Sequence, residues 1–467
     1  MSTSTTLADR PAAVVSSDAR SVASSAATHA GSADARGCPV STRSRLAIEH
    51  AEQALWRLMS YIGDPLADID AAIAADPSWP LPHVIKANAM LATTEHAYAR
   101  LAASCLDTAV ALGARANDRE RAHIAATRLL VAGRWAEACA AWERIVVDEP
   151  QDVVALLFAH AFDFFRGDSV GLQRRISRAL PRWSTGAPLH SFVLGLHAFG
   201  LEENNHYAEA LDAGLAALAG ERRDAWAVHA VAHVHEMRGE HEAGSRWLSS
   251  RVADWAPDNG IAYHNWWHVA LFHLERCEFD AALALLDQRV VPGAQTALQR
   301  LDAVAMLWRL RLLGVDVGDR WQAVADAWAT QGDDAGYYAF NDVHSAIAQI
   351  GAGRLDAVEQ ILVALDARAA DATSLGAMAR EVGAPLVRGL LAHARGDAAG
   401  ATETLWQVRE VCQRFGGSHA QRDIVTLTLL DAAIGSGQKR LARHVLNERA
   451  IWKRATPLTE HWARRIG

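Results

Sequence analysis

Two stretches of the chain carry the same residue pair at the same spacing. His229 and His233 lie within Ala225 to Glu236, and His264 and His268 within His264 to Glu275. Both stretches read as helices, where positions i and i+4 lie about 40° apart and share a face. His229, His233 and Glu236 fall on one stripe, with Ala227, Ala230, Val231 and Val234 on the other side. In the second stretch His264, His268 and Glu275 share a stripe with Leu271, while Trp266, Val269 and Ala270 point elsewhere. Four imidazoles on neighbouring helices could bind a transition metal through neutral ring nitrogens. They could also act as general acid and base near neutral pH. The plainer alternative is a half-buried polar layer in which they bond to one another, to backbone or to water. The His-Glu-x-x-His arrangement of zincin metalloproteases is absent. The sequence therefore calls for no cofactor, and a transition metal, if held, falls to His229, His233, His264 and His268.

Other polar residues recur where a site could be completed. Glu236 could orient an imidazole from behind, and so could Glu275. Trp267 lies about 60° from His264 and His268 on its helix and is the tryptophan expected to line the site. Asn341 and His344 are three residues apart and can share a face, but Asp342 and His344 cannot. Arg380 could add positive charge. His419, Arg422 and Asp423 share a face, with Arg422 as an anchor for a carboxylate or phosphate steadied by a carboxylate. Ser418 is the expected N-cap of that helix. His235 and His273 point away from the stripes and read as packing residues.

These residues need a helical framework, and the composition supplies one. The chain has 467 residues, abundant Ala, 13 Pro and few β-branched runs. No apolar run is long enough to span a bilayer, so no membrane partner is expected. A formal charge of -8 argues against a general nucleic-acid binder. Five scattered Cys without a Cys-x-x-Cys pair fit a reduced, cytoplasmic protein. Sixteen Trp against six Tyr point to heavy aromatic packing between helices. Residues 1–43 are Ser-, Ala- and Thr-rich without periodicity and read as a disordered tail.

From Arg45 the pattern becomes amphipathic segments separated by a recurring break. Gly133-Arg134-Trp135, Asn205-His206-Tyr207, Cys277-Glu278-Phe279 and Gly353-Arg354-Leu355 are its instances. Trp135, Tyr207 and Phe279 are 72 residues apart in turn, and Leu355 follows 76 later. Each interval is about two units of a helix-turn-helix repeat. About eleven pairs fit between residues 45 and 452, which predicts an all-α, tetratricopeptide-like α-solenoid over residues 44–467. The helices around His229, His264, Asp342, Arg380 and Arg422 are first helices of their pairs. They are expected to face one inner groove or chamber.

At this point the chain resembles the tetratricopeptide repeat protein 38 family over nearly its whole length after the tail. The resemblance rests on Asp224 to Met237, His264-Asn265-Trp266-Trp267-His268, Gly318-Asp319-Arg320-Trp321 and Phe340-Asn341-Asp342-Val343-His344. It rests further on Gly416 to Asp423, Glu448-Arg449 and Thr456 to Glu460. It implies a helical-repeat fold and a soluble protein, and no particular reaction.

Two functions remain open on sequence. A His/Asp/Arg-rich pocket could bind a small anionic molecule and transform it by hydrolysis, elimination or isomerisation. Alternatively, the groove could take a peptide or partner protein, the usual work of such arrays. Four aligned imidazoles favour the first.

Overall fold

The computed structural model describes residues 32–329 and 334–467. The disorder expected for residues 1–31 lies outside the described residues. Residues 32–43, grouped with that tail on composition, instead pack against the fold. The Arg36 guanidinium is buried against Glu52 at 2.6 and 2.8 Å and Asp34 at 3.2 Å, and Cys38 and Val40 are buried. This ion cluster, with bonds from Ser41 to Glu120, Thr42 to Asp76 and Asn117 to the Pro39 carbonyl, holds the segment, and hydrophobic periodicity cannot reveal such contacts.

From Arg45 the described residues form eleven helical pairs and a closing helix, Pro457–Ile466. The protein is an all-α solenoid. The break between paired helices has a local cause. Its first residue adopts the left-handed conformation in every instance: Gly133 at φ 72°, Asn205 at 65°, Gly239 at 68°, Cys277 at 61° and Gly353 at 76°. That conformation stops a helix while its last carbonyls are still capped, and glycine enters it without a Cβ penalty. Cys277 carries the penalty. Cys277→Gly is therefore expected to raise stability by about 1 kcal/mol, read as a higher denaturant midpoint at unchanged slope.

The superhelix coils until distant pairs touch. Asn341 Nδ2 donates to the Thr94 carbonyl at 3.0 Å, Ser374 N–H to the Gly133 carbonyl at 3.0 Å, and the Tyr338 hydroxyl to the Phe165 carbonyl at 2.8 Å. First helices meet across the interior. Trp308 Nε1 donates to Thr428 Oγ1 at 2.8 Å, and Arg309 Nη2 to the Ala420 carbonyl at 2.6 Å. Six tryptophans (Trp135, Trp142, Trp255, Trp267, Trp308 and Trp462) are among the largest fully buried side chains. One core cluster runs from Val40 to Ile466. The helices bearing the two His pairs are thus fixed from both sides.

Candidate metal centre

The first His helix spans Ala225–Met237 and the second Ala262–Glu275. Asp224 caps the first, accepting the Trp226 and Ala227 N–H groups at 3.0 Å each. Such a cap contributes about 1 kcal/mol and fixes where the helix, and hence its stripe, begins. The two stripes face each other. His229 Nε2 lies 2.9 Å from His233 Nε2 and 3.0 Å from His264 Nε2. The His268 ring centroid is 4.5 Å from that of His233 and 4.9 Å from that of His264. One nitrogen from each of the four lies within 4.8 Å of the other three.

The outward nitrogens explain what the inward ones can do. His264 Nδ1–H donates to Asp302 Oδ2 at 2.6 Å, and His268 Nδ1–H to Glu236 Oε2 at 3.0 Å. A neutral imidazole has one N–H, so these two rings present bare Nε2 lone pairs inward. Burial and the neighbouring imidazoles hold His229 well below the ordinary imidazole range. Burial above all does the same for His233, and burial lowers His268 against the pull of Glu236. The cluster is therefore a set of four crowded ring nitrogens, three of them on imidazoles that burial keeps from charging. Carboxylates behind the ring and lone pairs in front are what transition-metal histidines require.

A further layer holds the carboxylates. Glu236 Oε1 accepts Lys453 Nζ at 2.9 Å, and Lys453 also reaches Glu275 at 2.7 Å. Glu275 takes Arg449 Nη2 at 3.0 Å and the Thr456 hydroxyl at 2.5 Å. Arg449 bonds Asp423 at 2.7 and 2.8 Å. Burial opposes ionisation of Glu236, but Lys453 and His268 hold it well below the usual carboxylate range.

The walls are aromatic. Trp267 is fully buried and stacks on His264 at 5.3 Å with 15° between planes. Phe199 lies 5.4 Å from both His229 and His233, and Trp226 lies 4.8 Å from His229. Trp226 in turn stacks on Tyr61 at 5.8 Å. The three other imidazole side chains are buried, whereas that of His264 keeps 12 % exposure beside Tyr263. His264 is thus the most exposed of the four.

Other candidates lie apart from the four imidazoles. Asn341 is committed to Thr94, and Asp342 accepts the Gly336 N–H at 2.9 Å. Burial pushes Asp342 up to about 8. His344 Nδ1–H donates to the Phe340 carbonyl at 2.8 Å within its own helix. Arg380 is exposed and donates to the Ala369 carbonyl at 2.9 Å, on a π-helical turn spanning Ala379–Gly383. Arg380→Ala is expected to leave metal content unchanged and stability within about 0.5 kcal/mol, read by elemental analysis and thermal melting.

His419, Arg422 and Asp423 line a cavity of about 410 Å³ together with Glu203, Arg449 and Lys453. Arg422 is indeed steadied by a carboxylate, but that carboxylate is Glu203, at 3.2 Å. Asp423 serves Arg449 instead. Glu275 likewise holds Lys453 and Arg449 and orients no imidazole. His235 and His273 are paired with Glu240 at 2.8 Å and Glu278 at 2.6 Å near the surface, not packed in the core.

Sequence reasoning missed Asp302, Glu202, Lys453 and Arg449. Asp302 and Glu202 are acidic residues set in apolar first helices, a signal that was legible. Lys453 sits far along the chain in a basic segment and gives no such signal. Also missed was His160, whose ring lies 6.0 Å from Phe199 and 6.2 Å from Trp226.

No known family profile matches the sequence. Solved structures of similar fold are tetratricopeptide-type repeat proteins. One is a tetratricopeptide repeat protein from Parabacteroides merdae ATCC 43184, 12% identical, with 62% of this chain and 99% of that chain covered and a TM-score of 0.33. Another is the human IFIT1 dimer with m7Gppp-AAAA, at 11% identity, 91% and 94% coverage and a TM-score of 0.43. The APC/C hetero-tetramer Cut9-Hcn1 matches at 12% identity, 88% coverage of each chain and a TM-score of 0.32. The exclusion of nucleic acid drawn from net charge is corrected by these neighbours. IFIT1 is seen with m7Gppp-AAAA and PPP-AAAA, so a helical-repeat fold gives no ground for that exclusion. No helix among the described residues is long and apolar enough to cross a membrane.

Proposed function

We propose that this chain is a cytoplasmic metalloprotein of the tetratricopeptide repeat protein 38 family, with a divalent transition metal held by His229, His233, His264 and His268. The observation that carries this reading is the convergence of four imidazoles, two of them with Nδ1 committed to Asp302 and Glu236. The five free cysteines support a reducing compartment.

Bound there, the metal supplies Lewis acidity. Neutral imidazoles leave its charge undiminished, and ions that take five or six ligands keep positions beyond the four nitrogens. A small anionic molecule approaching the His264 edge would complete the coordination, with Tyr263 and the Tyr61–Trp226 stack beside it. Such a centre suits hydrolysis, elimination or isomerisation of that molecule. A peptide-binding groove is the weaker reading, because the polar interior is committed to internal pairs.

The test is elemental analysis of the untagged protein, followed by Co(II) loading of chelator-treated chain with visible spectroscopy. Stoichiometric metal, a d–d band perturbed by azide or acetate, and loss of both in His264→Ala are expected. Absence of metal in the wild type together with no Co(II) band at saturation would sink the reading.

A further inference from the structure

Behind the four-imidazole cluster lies a second group of donors that the pairings above leave unexplained. Glu202 ends the helix His190–Glu202 and is fully buried, yet neither of its carboxylate oxygens has a hydrogen-bond partner. His233 Nδ1, also without a hydrogen bond, points at it with 3.5 Å between Nδ1 and Oε2. Glu203, buried beside it, completes a set in which one donor atom from each residue lies within 4.8 Å of the others.

A proton does not resolve this arrangement. A neutral Glu202 would have only His233 Nδ1 to receive its O–H, and at 3.5 Å neither group donates well to the other. The separation is instead that of a nitrogen and an oxygen sharing one ion, which at bonds of about 2.1 Å sit roughly 3.0–3.5 Å apart. The surroundings favour a cation as well. Burial of Glu202 first, then the negative charge of Glu203 and Glu236, disfavours a bare carboxylate there, and Arg422 offsets this only in part. Arg422 and the His419 N–H hold Glu203 at 3.2 and 2.9 Å, fixing its direction.

We infer that Glu202, Glu203 and His233 hold a second divalent cation, so that the His233 ring stands between two metal ions. This rests on the four-imidazole reading, because His233 Nε2 belongs to that centre. When both ring nitrogens coordinate, the single N–H proton of His233 passes to solvent and the ring becomes a bridging imidazolate, with no change of oxidation state.

The experiment is metal stoichiometry of the full chain after chelation and reloading, first with Co(II) and then with Cu(II). Two equivalents are expected in wild type and one in Glu202→Gln. Two copper ions on one imidazolate couple, so the wild-type EPR signal should fall well below that of two isolated ions. Glu202→Gln should restore the full signal of one. If Glu202→Gln fails to fold, Glu203→Gln replaces it with the same expectation. A wild type that binds one equivalent overturns the second site and leaves the four-imidazole centre standing, with Glu202 solvated by a buried water. A variant that still binds two overturns the assignment to Glu202. No metal at all overturns the underlying centre instead.

Discussion

Chelator-treated protein should melt about 3 °C higher once a divalent transition metal is present at a hundred times its dissociation constant. His268→Ala should show no such rise. The size follows from linkage: a ligand that binds only the folded chain at that excess adds about 2.7 kcal/mol. A folded unit spanning residues 32–467 loses close to 1 kcal/mol per degree near its midpoint. The four donors come from two successive repeats, and none of them forms a site in the unfolded chain. Equal shifts in wild type and His268→Ala would place the metal elsewhere, on surface histidines such as His235 or His273. Thermal melts at several metal concentrations decide this, since the shift must grow logarithmically with free metal.

The largest single effect is expected at Lys453. Its ammonium is buried between Glu236 and Glu275, and those two ion pairs hold it above the ordinary lysine range although burial lowers it. Lys453→Met leaves Glu236 with no cation and Glu275 with Arg449 and Thr456 alone. Breaking one side of a buried pair costs about 3–5 kcal/mol. Freed from Lys453, Glu236 also holds His268 less firmly, and loss of such support weakens metal affinity by about 10–100-fold. The two consequences separate in a double variant. Lys453→Met with Glu236→Gln removes the stranded charge, so stability should recover while affinity stays low. Recovery of both would mean that Lys453 acts on the fold alone and not on the metal ligands.

Much of this arrangement was legible before any coordinates. The repeat length and the pairing of helices follow from the break at Gly133, Asn205, Cys277 and Gly353, because a left-handed residue is a local event with a local signature. The convergence of His229, His233, His264 and His268 follows from helical spacing and from the equivalence of successive first helices. Asn341, Asp342, His344 and Arg380 do not join the four imidazoles, for a different reason. Each lies on a first helix, but Asn341 is claimed by Thr94 of a distant pair, Asp342 and His344 by the nearby backbone of Gly336 and Phe340, and Arg380 is exposed on a π-helical turn. Asp302 and Glu202 showed only as acidic residues in apolar first helices, whereas Lys453 depends on how the coil closes, and no period in the sequence records that.

Lys453 and Glu236 are separated by 217 residues. At the pace of synthesis, about 5–20 residues per second, all four histidines leave the ribosome roughly ten to forty seconds before the lysine that anchors their supporting carboxylate. In that interval Glu236 lacks its counter-ion and the His268 ring has no fixed orientation. Any metal-binding form therefore waits on Lys453, 217 residues after the carboxylate it anchors. A chain truncated before Lys453 would carry every metal ligand and still be a poor chelator.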